Sequence, residues 1–315
     1  MSPARRRSIA PAIVGPSPSP GVDGAVRHAV LAWYDATGRE LAFRTTVDPY
    51  AVLVSELMAQ QTQAARAADA WTAWMRRFPS VEALAVAPVA EVVRAWAGLG
   101  YNRRAVLLHR AARTIVDEHG GRVPASVDEL QALPGVGPYT ARAVAAIAFG
   151  EPVGAVDVNV RRVLGRIVAG GPEALSAAEM QALADASVPQ DRTGAWTHAL
   201  MDVGQRVCRP RRPRCADCPA ISWCAHAAGV RPSPAPVRAN GASARRPEPR
   251  FESTNRWLRG RILERARTTD VWTRFDQPIG GHGSGAVRSA VLGLARDGLV
   301  EARDTPAGPE ARLPR

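Results

Sequence analysis

From Val22 to about Ala228 the apolar residues recur at helical spacing, and strand-like alternation is nearly absent. The stretch "DPYAVLVSELMAQQTQ" is representative. Asp48 stands at an N-cap, Pro49 in the first turn, and Tyr50, Leu53, Val54 and Leu57 mark a buried stripe. "SVDELQAL" opens with Ser126 and Glu129 at capping-box spacing. "PYTARAVAAIAF" and "DVNVRRVLGRIV" follow with the same period. The pattern predicts an all-α region of roughly ten helices.

The periodicity stops on either side. Residues 1–22 hold an apolar stretch too short and too Pro-broken for a signal peptide and are expected to be a disordered basic tail. Residues 229–250 carry five prolines and five arginines with no apolar pattern, which predicts a linker. In residues 251–315 order resumes with "TNRWLRGRILERAR" and "GSGAVRSAVLGLARDGLVEAR". Helical patterns, a Gly-rich turn and one strand-like piece predict a small C-terminal module of winged-helix character.

Composition narrows the partner. The chain of 315 residues carries a net charge of +12 and contains no lysine. Arginine-rich codon usage accounts for the missing lysine but not for the excess of base over acid, so a polyanion is the expected partner. No apolar run reaches the roughly 18 residues of a membrane span. The expected location is the cytoplasm, in association with the nucleoid.

Two segments, "AGLGYNRRA" at 97–105 and "PGVGPYTARA" at 134–143, place Gly-x-Gly between helices. Such glycines permit left-handed backbone and close approach to an outside group, and the helix that follows offers free N–H groups to a phosphate. Either could be an ordinary tight turn. In "LPGVGPYTA", however, Leu133 and Val136 can anchor the turn while Gly135 and Gly137 face outward. That full pattern reads as a helix-hairpin-helix clamp on a DNA backbone, with Gly135, Val136 and Gly137 as its contact residues.

All the cysteines of the chain, Cys208, Cys215, Cys218 and Cys224, fall in "VCRPRRPRCADCPAISWC" with spacing C-x6-C-x2-C-x5-C. In a reducing compartment such clustering indicates metal ligation. One short loop with four thiolates suits a [4Fe–4S] cubane; zinc, more often held by paired C-x2-C knuckles, stays open on spacing alone.

The hairpin, the aspartate after it and the four-cysteine loop together resemble the endonuclease III superfamily of helix-hairpin-helix DNA glycosylases over about residues 23–228. The resemblance implies a six-helix barrel over about 47–153 and an iron–sulfur helical domain from about 23–46 plus 154–228. It also implies a [4Fe–4S] cluster on the four cysteines. Arg209, Arg211, Arg212 and Arg214 would then fill a loop that rests on DNA.

Breaking an N-glycosidic bond requires protonation of the leaving base and a carboxylate facing the oxocarbenium-like sugar. Glu56, within "SELMAQQT", resembles the acid of the MutY branch, the adenine DNA glycosylases, which protonates adenine N7. Asp157 matches the family's catalytic aspartate, although alone it would pass for an N-cap. Tyr139 stands where endonuclease III carries a lysine nucleophile, and its hydroxyl would orient Asp157. Asn159 would hold a water or the departing sugar, and Gln61 and Tyr101 would wedge into the base stack. The implied activity is a monofunctional adenine glycosylase, a monomer acting on double-stranded DNA with A·8-oxoguanine or A·G mispairs. A thymine glycosylase for G·T mispairs and a non-catalytic iron–sulfur DNA-binding protein are the alternatives. A Nudix-like C-terminal domain, usual in the MutY branch, is not legible in 251–315.

Overall fold

A computed structural model describes residues 22–230 and 250–315. The expected tail and linker lie, apart from their end residues, outside the described residues. Among the described residues eleven α-helices precede residue 230: α1 (Gly24–Thr37), α2 (Pro49–Ala59), α3 (Ala64–Arg77), α4 (Val81–Ala85), α5 (Val89–Ala95), α6 (Arg103–His119), α7 (Val127–Ala132), α8 (Pro138–Ala148), α9 (Val158–Ala169), α10 (Ala177–Ser187) and α11 (Thr193–Asp202).

Their apolar faces gather into two cores. The first collects residues of α2 to α8, with Trp74 and Trp96 fully buried and set edge to face. The second joins α1 to α9, α10 and α11 and reaches Ala220 in the cysteine loop. The chain therefore leaves the second body after α1, builds the first, and returns at α9.

α2 departs from the expected stripe. Every residue from Tyr50 to Met58 is buried, because α3, α6 and α8 surround the helix. Its polar members, Ser55 and Glu56, are buried with the rest. Asp48 caps it by accepting from Ala51 N at 2.7 Å. At Ser126 the expected box is incomplete: Ser126 Oγ accepts from Glu129 N at 3.2 Å, but the glutamate bonds that hydroxyl and not the cap N–H. The reciprocal box forms instead at Ser176 and Glu179.

The C-terminal module comprises α12 (Asn255–Arg267), β1 (Thr273–Arg274), α13 (Ser284–Arg296), β2 (Glu301–Thr305) and β3 (Gly308–Arg312). The strands form an antiparallel sheet ordered β1-β3-β2, so the otherwise all-α protein has one small sheet, among the described residues, where a single strand was expected. The module runs in the order helix, strand, helix, hairpin. Its core is continuous with Val93 of α5 and Val106 of α6, which seats the module against the first body.

Candidate active site and DNA-facing surface

Glu56 projects from the enclosed helix α2 and is 7% exposed. Burial pushes its carboxyl up to about 7, aided by the nearby Asp157 charge and opposed by the Tyr139 hydroxyl and the Arg44 guanidinium. A carboxyl in this state carries a proton near neutral pH and can deliver it.

Asp157 is the N-cap of α9, so its capping and its proposed catalytic placement coincide. Oδ1 accepts from Asn159 N at 2.8 Å and Val160 N at 2.7 Å, and Oδ2 accepts from Asn159 Nδ2 at 2.7 Å. Asn159 in turn accepts from Arg162 Nη2 at 2.8 Å. Both ends of the Asn159 side chain are thus engaged, and it orients Asp157 where the sequence reading assigned it a water or the sugar. Tyr139 also differs from expectation. Its hydroxyl has one proton to give, to Met201 Sδ at 3.3 Å or to the Glu56 carboxylate beside it. Burial and the two carboxylates push its own pKa well up, so it stays a neutral phenol. The structure thus brings Glu56, Tyr139 and Asp157 within electrostatic reach of one another.

Arg44, missed in the sequence reading, belongs to the same neighbourhood. Its side chain is buried, and its Nη1 and Nη2 hold Asp202 at 3.0 and 2.9 Å, with Arg39 as a further donor to that carboxylate. These arginines hold the Asp202 carboxyl down to about 2 against its burial. The Nε of Arg44 is buried without a hydrogen-bond partner, and the charge of the guanidinium lowers the Glu56 pKa. No local signal marked it: Arg44 follows Phe43 ahead of the Asp48 cap, outside any motif, and its partner Asp202 is far along the chain.

Gln61 and Tyr101 are exposed, and among the described residues they are the non-glycine positions with left-handed backbone, φ 52° and 43°. Holding ordinary side chains there costs of order 1–3 kcal/mol each. A single buried side chain, Arg104, ties their loops together. Its Nη1 donates to the carbonyls of Leu57, Met58 and Gln60 at 2.6, 3.1 and 2.6 Å. Its Nη2 donates to the carbonyls of Leu99 and Gly100 at 3.2 and 3.1 Å, and to Thr62 Oγ1 at 3.2 Å. Burial lowers its pKa to about 10, which leaves it a cation at neutral pH.

The hairpin between α7 and α8 turns at Gly135 (φ 83°), where an added Cβ would lie 2.8 Å from Leu107 Cβ. Gly137 is extended, not left-handed, and a Cβ there would meet nothing within 4 Å. Val136 is not a surface contact: its side chain is buried and its N–H donates to Leu133 O at 3.1 Å. The glycines remain outward. The first amides of α8, at Tyr139 and Thr140, precede any carbonyl of their own helix that could accept them.

A π-turn over Val203–Val207 delivers the chain from α11 to Cys208. All four thiols line one small cavity. Arg166 Nη1 donates to Cys208 Sγ at 3.3 Å, and burial pushes the Cys218 thiol up to about 11. Among the described residues no three Cys, His, Asp or Glu side chains close on a point that one ion would occupy. Four thiols on one cavity are a donor set of the kind that four-cysteine zinc sites and [4Fe–4S] clusters both use. Arg162 and Arg166 of α9 bind the backbone carbonyls of Cys208, Arg209 and Pro210 at 2.7–2.8 Å. Outside that staple Arg209, Arg211, Arg212 and Arg214 are exposed, with Arg214 paired to Asp217.

Residues 54–188 match the model of the HhH-GPD superfamily base excision DNA repair proteins. The chain is 43% identical over 294 residues to the adenine DNA glycosylase of Mycobacterium tuberculosis, covering 90% of this chain and 93% of the relative. The chain belongs to the adenine DNA glycosylase family. A thermostable thymine-DNA glycosylase superposes with TM-score 0.60 at 29% identity, over 64% of this chain and 95% of its own. A trapped endonuclease III–DNA covalent intermediate does so with TM-score 0.55 at 25% identity, over 65% and 94%. In this adenine DNA glycosylase, therefore, the match to the Mycobacterium relative spans most of the chain, whereas the two structural matches cover 64% and 65% of it.

Proposed function

We propose that this DNA glycosylase removes adenine opposite 8-oxoguanine or guanine in duplex DNA, as a monomer, and stops at the abasic site. The observation that carries the reading is Glu56: a buried carboxyl that keeps its proton to about pH 7 beside the carboxylate of Asp157. A purine offers ring nitrogen N7 to such an acid. The C1′–N9 bond breaks with its electron pair leaving on the protonated base, and the Asp157 carboxylate faces the positive charge left on the sugar. Water then adds at C1′ and gives up a proton. Asn159 keeps Asp157 aimed, and Tyr139 with Arg44 borders Glu56 and tunes it.

Strand cleavage through a Schiff base would require an amine nucleophile, and the chain contains no lysine. Tyr139 occupies the hairpin position in question. A [4Fe–4S] cluster held by Cys208, Cys215, Cys218 and Cys224 would act as a structural anchor for the arginine loop. The loop arginines, Gly135 and Gly137 of the hairpin, and the Gln61 and Tyr101 loops would engage the duplex.

The test is a panel of A·8-oxoguanine, A·G and T·G duplexes, each treated with alkali after incubation. Alkali-dependent breaks at adenine in the first two are expected, with no borohydride-trapped protein–DNA adduct through a lysine. Breaks at thymine in T·G, or none at adenine, would overturn the assignment. The T·G arm addresses the thymine glycosylase reading directly: thymine has no free ring-nitrogen lone pair for Glu56 to protonate.

A further inference from the structure

Tyr101 is contacted by both the first helical body and the C-terminal module. Arg104 of the helical body has its guanidinium carbon 5.7 Å from the ring centre. Arg256, the second residue of α12, comes closer: Nη1 donates to the Tyr101 hydroxyl at 2.7 Å, and the guanidinium lies 4.3 Å from the ring centre. Phe251 lies on Arg256 in turn, its ring centre 5.4 Å away. Arg256 is set in place by the docking of its module. Thr254 caps α12 by accepting from Trp257 N at 3.3 Å, and Arg267 at the far end donates to Val93 O and Asn102 Oδ1 at 3.1 and 3.0 Å. Between the first body and the module runs a cleft of about 630 Å³, with Gln61 and Tyr101 in one wall and Phe251, Arg256 and Trp257 in the other.

We propose that Arg256 is a positioning residue through which the C-terminal module holds Tyr101 in the conformation that enters DNA. The proposal rests on the reading that Tyr101 wedges into the base stack. A left-handed tyrosine at the tip of a loop gains little from its own backbone and needs outside support to keep its ring presented. A hydrogen bond and a cation–π contact from one rigid fork supply both direction and plane. The module thus completes the extrusion apparatus, whatever else it binds.

The experiment uses the full-length protein and an 8-oxoguanine duplex in which 2-aminopurine replaces the mispaired adenine. Its fluorescence reports unstacking of that base. Arg256→Ala is expected to lower the extruded fraction about tenfold while thermal melting of the protein is unchanged; Arg256→Lys is expected to fall between the two. In a Tyr101→Ala background, Arg256→Ala should then have no further effect. Persistence of its full effect in that background would mean that Arg256 touches DNA directly, and would overturn the proposal. No effect of Arg256→Ala, with a clear loss in Tyr101→Ala, would also overturn it while leaving the wedge intact. If Tyr101→Ala itself extrudes normally, the wedge reading fails, and the proposal with it.

Discussion

Glu56 and Asp157 come from distant helices, yet the negative charge of Asp157 raises the proton affinity of Glu56. The relation separates two carboxyl groups into an acid and an anion, the division that glycosidic cleavage requires. Burial contributes more to the shift than Asp157 does.

Excision is expected to fall as pH rises through about 7, where Glu56 loses its proton. Single-turnover rates across pH would show this alkaline limb. Glu56→Gln should remove it together with roughly 10²- to 10⁴-fold of the rate.

The fold bears the consequence of the same shift. Unfolded, the carboxyl ionises near the usual 4.5; folded, near 7. Between those values the folded chain keeps a proton that the unfolded chain has lost, so stability declines with rising pH. Above about 7 the full penalty stands, on the order of 3 kcal/mol. Glu56→Gln should therefore raise the melting temperature at pH 8 far more than at pH 4; equal gains at both would contradict the buried, protonated state.

Asp157→Asn separates catalysis from capping. Asparagine caps a helix about as well as aspartate, so the melting temperature should move little, while excision drops by at least about 10²-fold. A large loss of stability would show that the position serves mainly α9.

Arg44 pulls the Glu56 pKa down. Arg44→Gln should therefore move the alkaline limb of the pH–rate profile to higher pH. Movement in the other direction would mean that the guanidinium acts on Glu56 only through packing.

The arginine loop lends itself to a salt titration. Arg211→Ala and Arg212→Ala should each weaken duplex binding on any sequence and reduce the slope of log affinity against log salt by about 1. An unchanged slope would place these side chains off the backbone.

Much of this was legible in the chain because the signals were local. The helix caps at Asp48 and Asp157, the Gly135 turn and the cysteine spacing are all written within a few residues of one another. What the sequence hid depends on long-range packing. The enclosure of α2 could not be read from "VSELMAQQTQ", since a stripe of Tyr50, Leu53, Val54 and Leu57 looks the same whether one side or every side is covered. Glu56 therefore looked like a solvated residue on residue chemistry alone. Arg44 and Asp202 were missed for the same reason: neither sits in a motif, and their partnership spans most of the helical body. The bonds of Asn159 to Asp157 and Arg162 were hidden as well, because Arg162 engages its second end only once α9 is wound.

Arg104 has one implication for how damage is sensed. Because a lone cation clamps the backbones before Gln61 and before Tyr101, the two tips cannot be adjusted one at a time; they move as the prongs of a fork whose gauge is set in the interior. If the two tips enter the duplex as proposed, such a tool would measure a step by whether it yields at that width. A mispaired step, weakly held, would open to it, whereas a sound one would have to pay the whole unstacking cost at once.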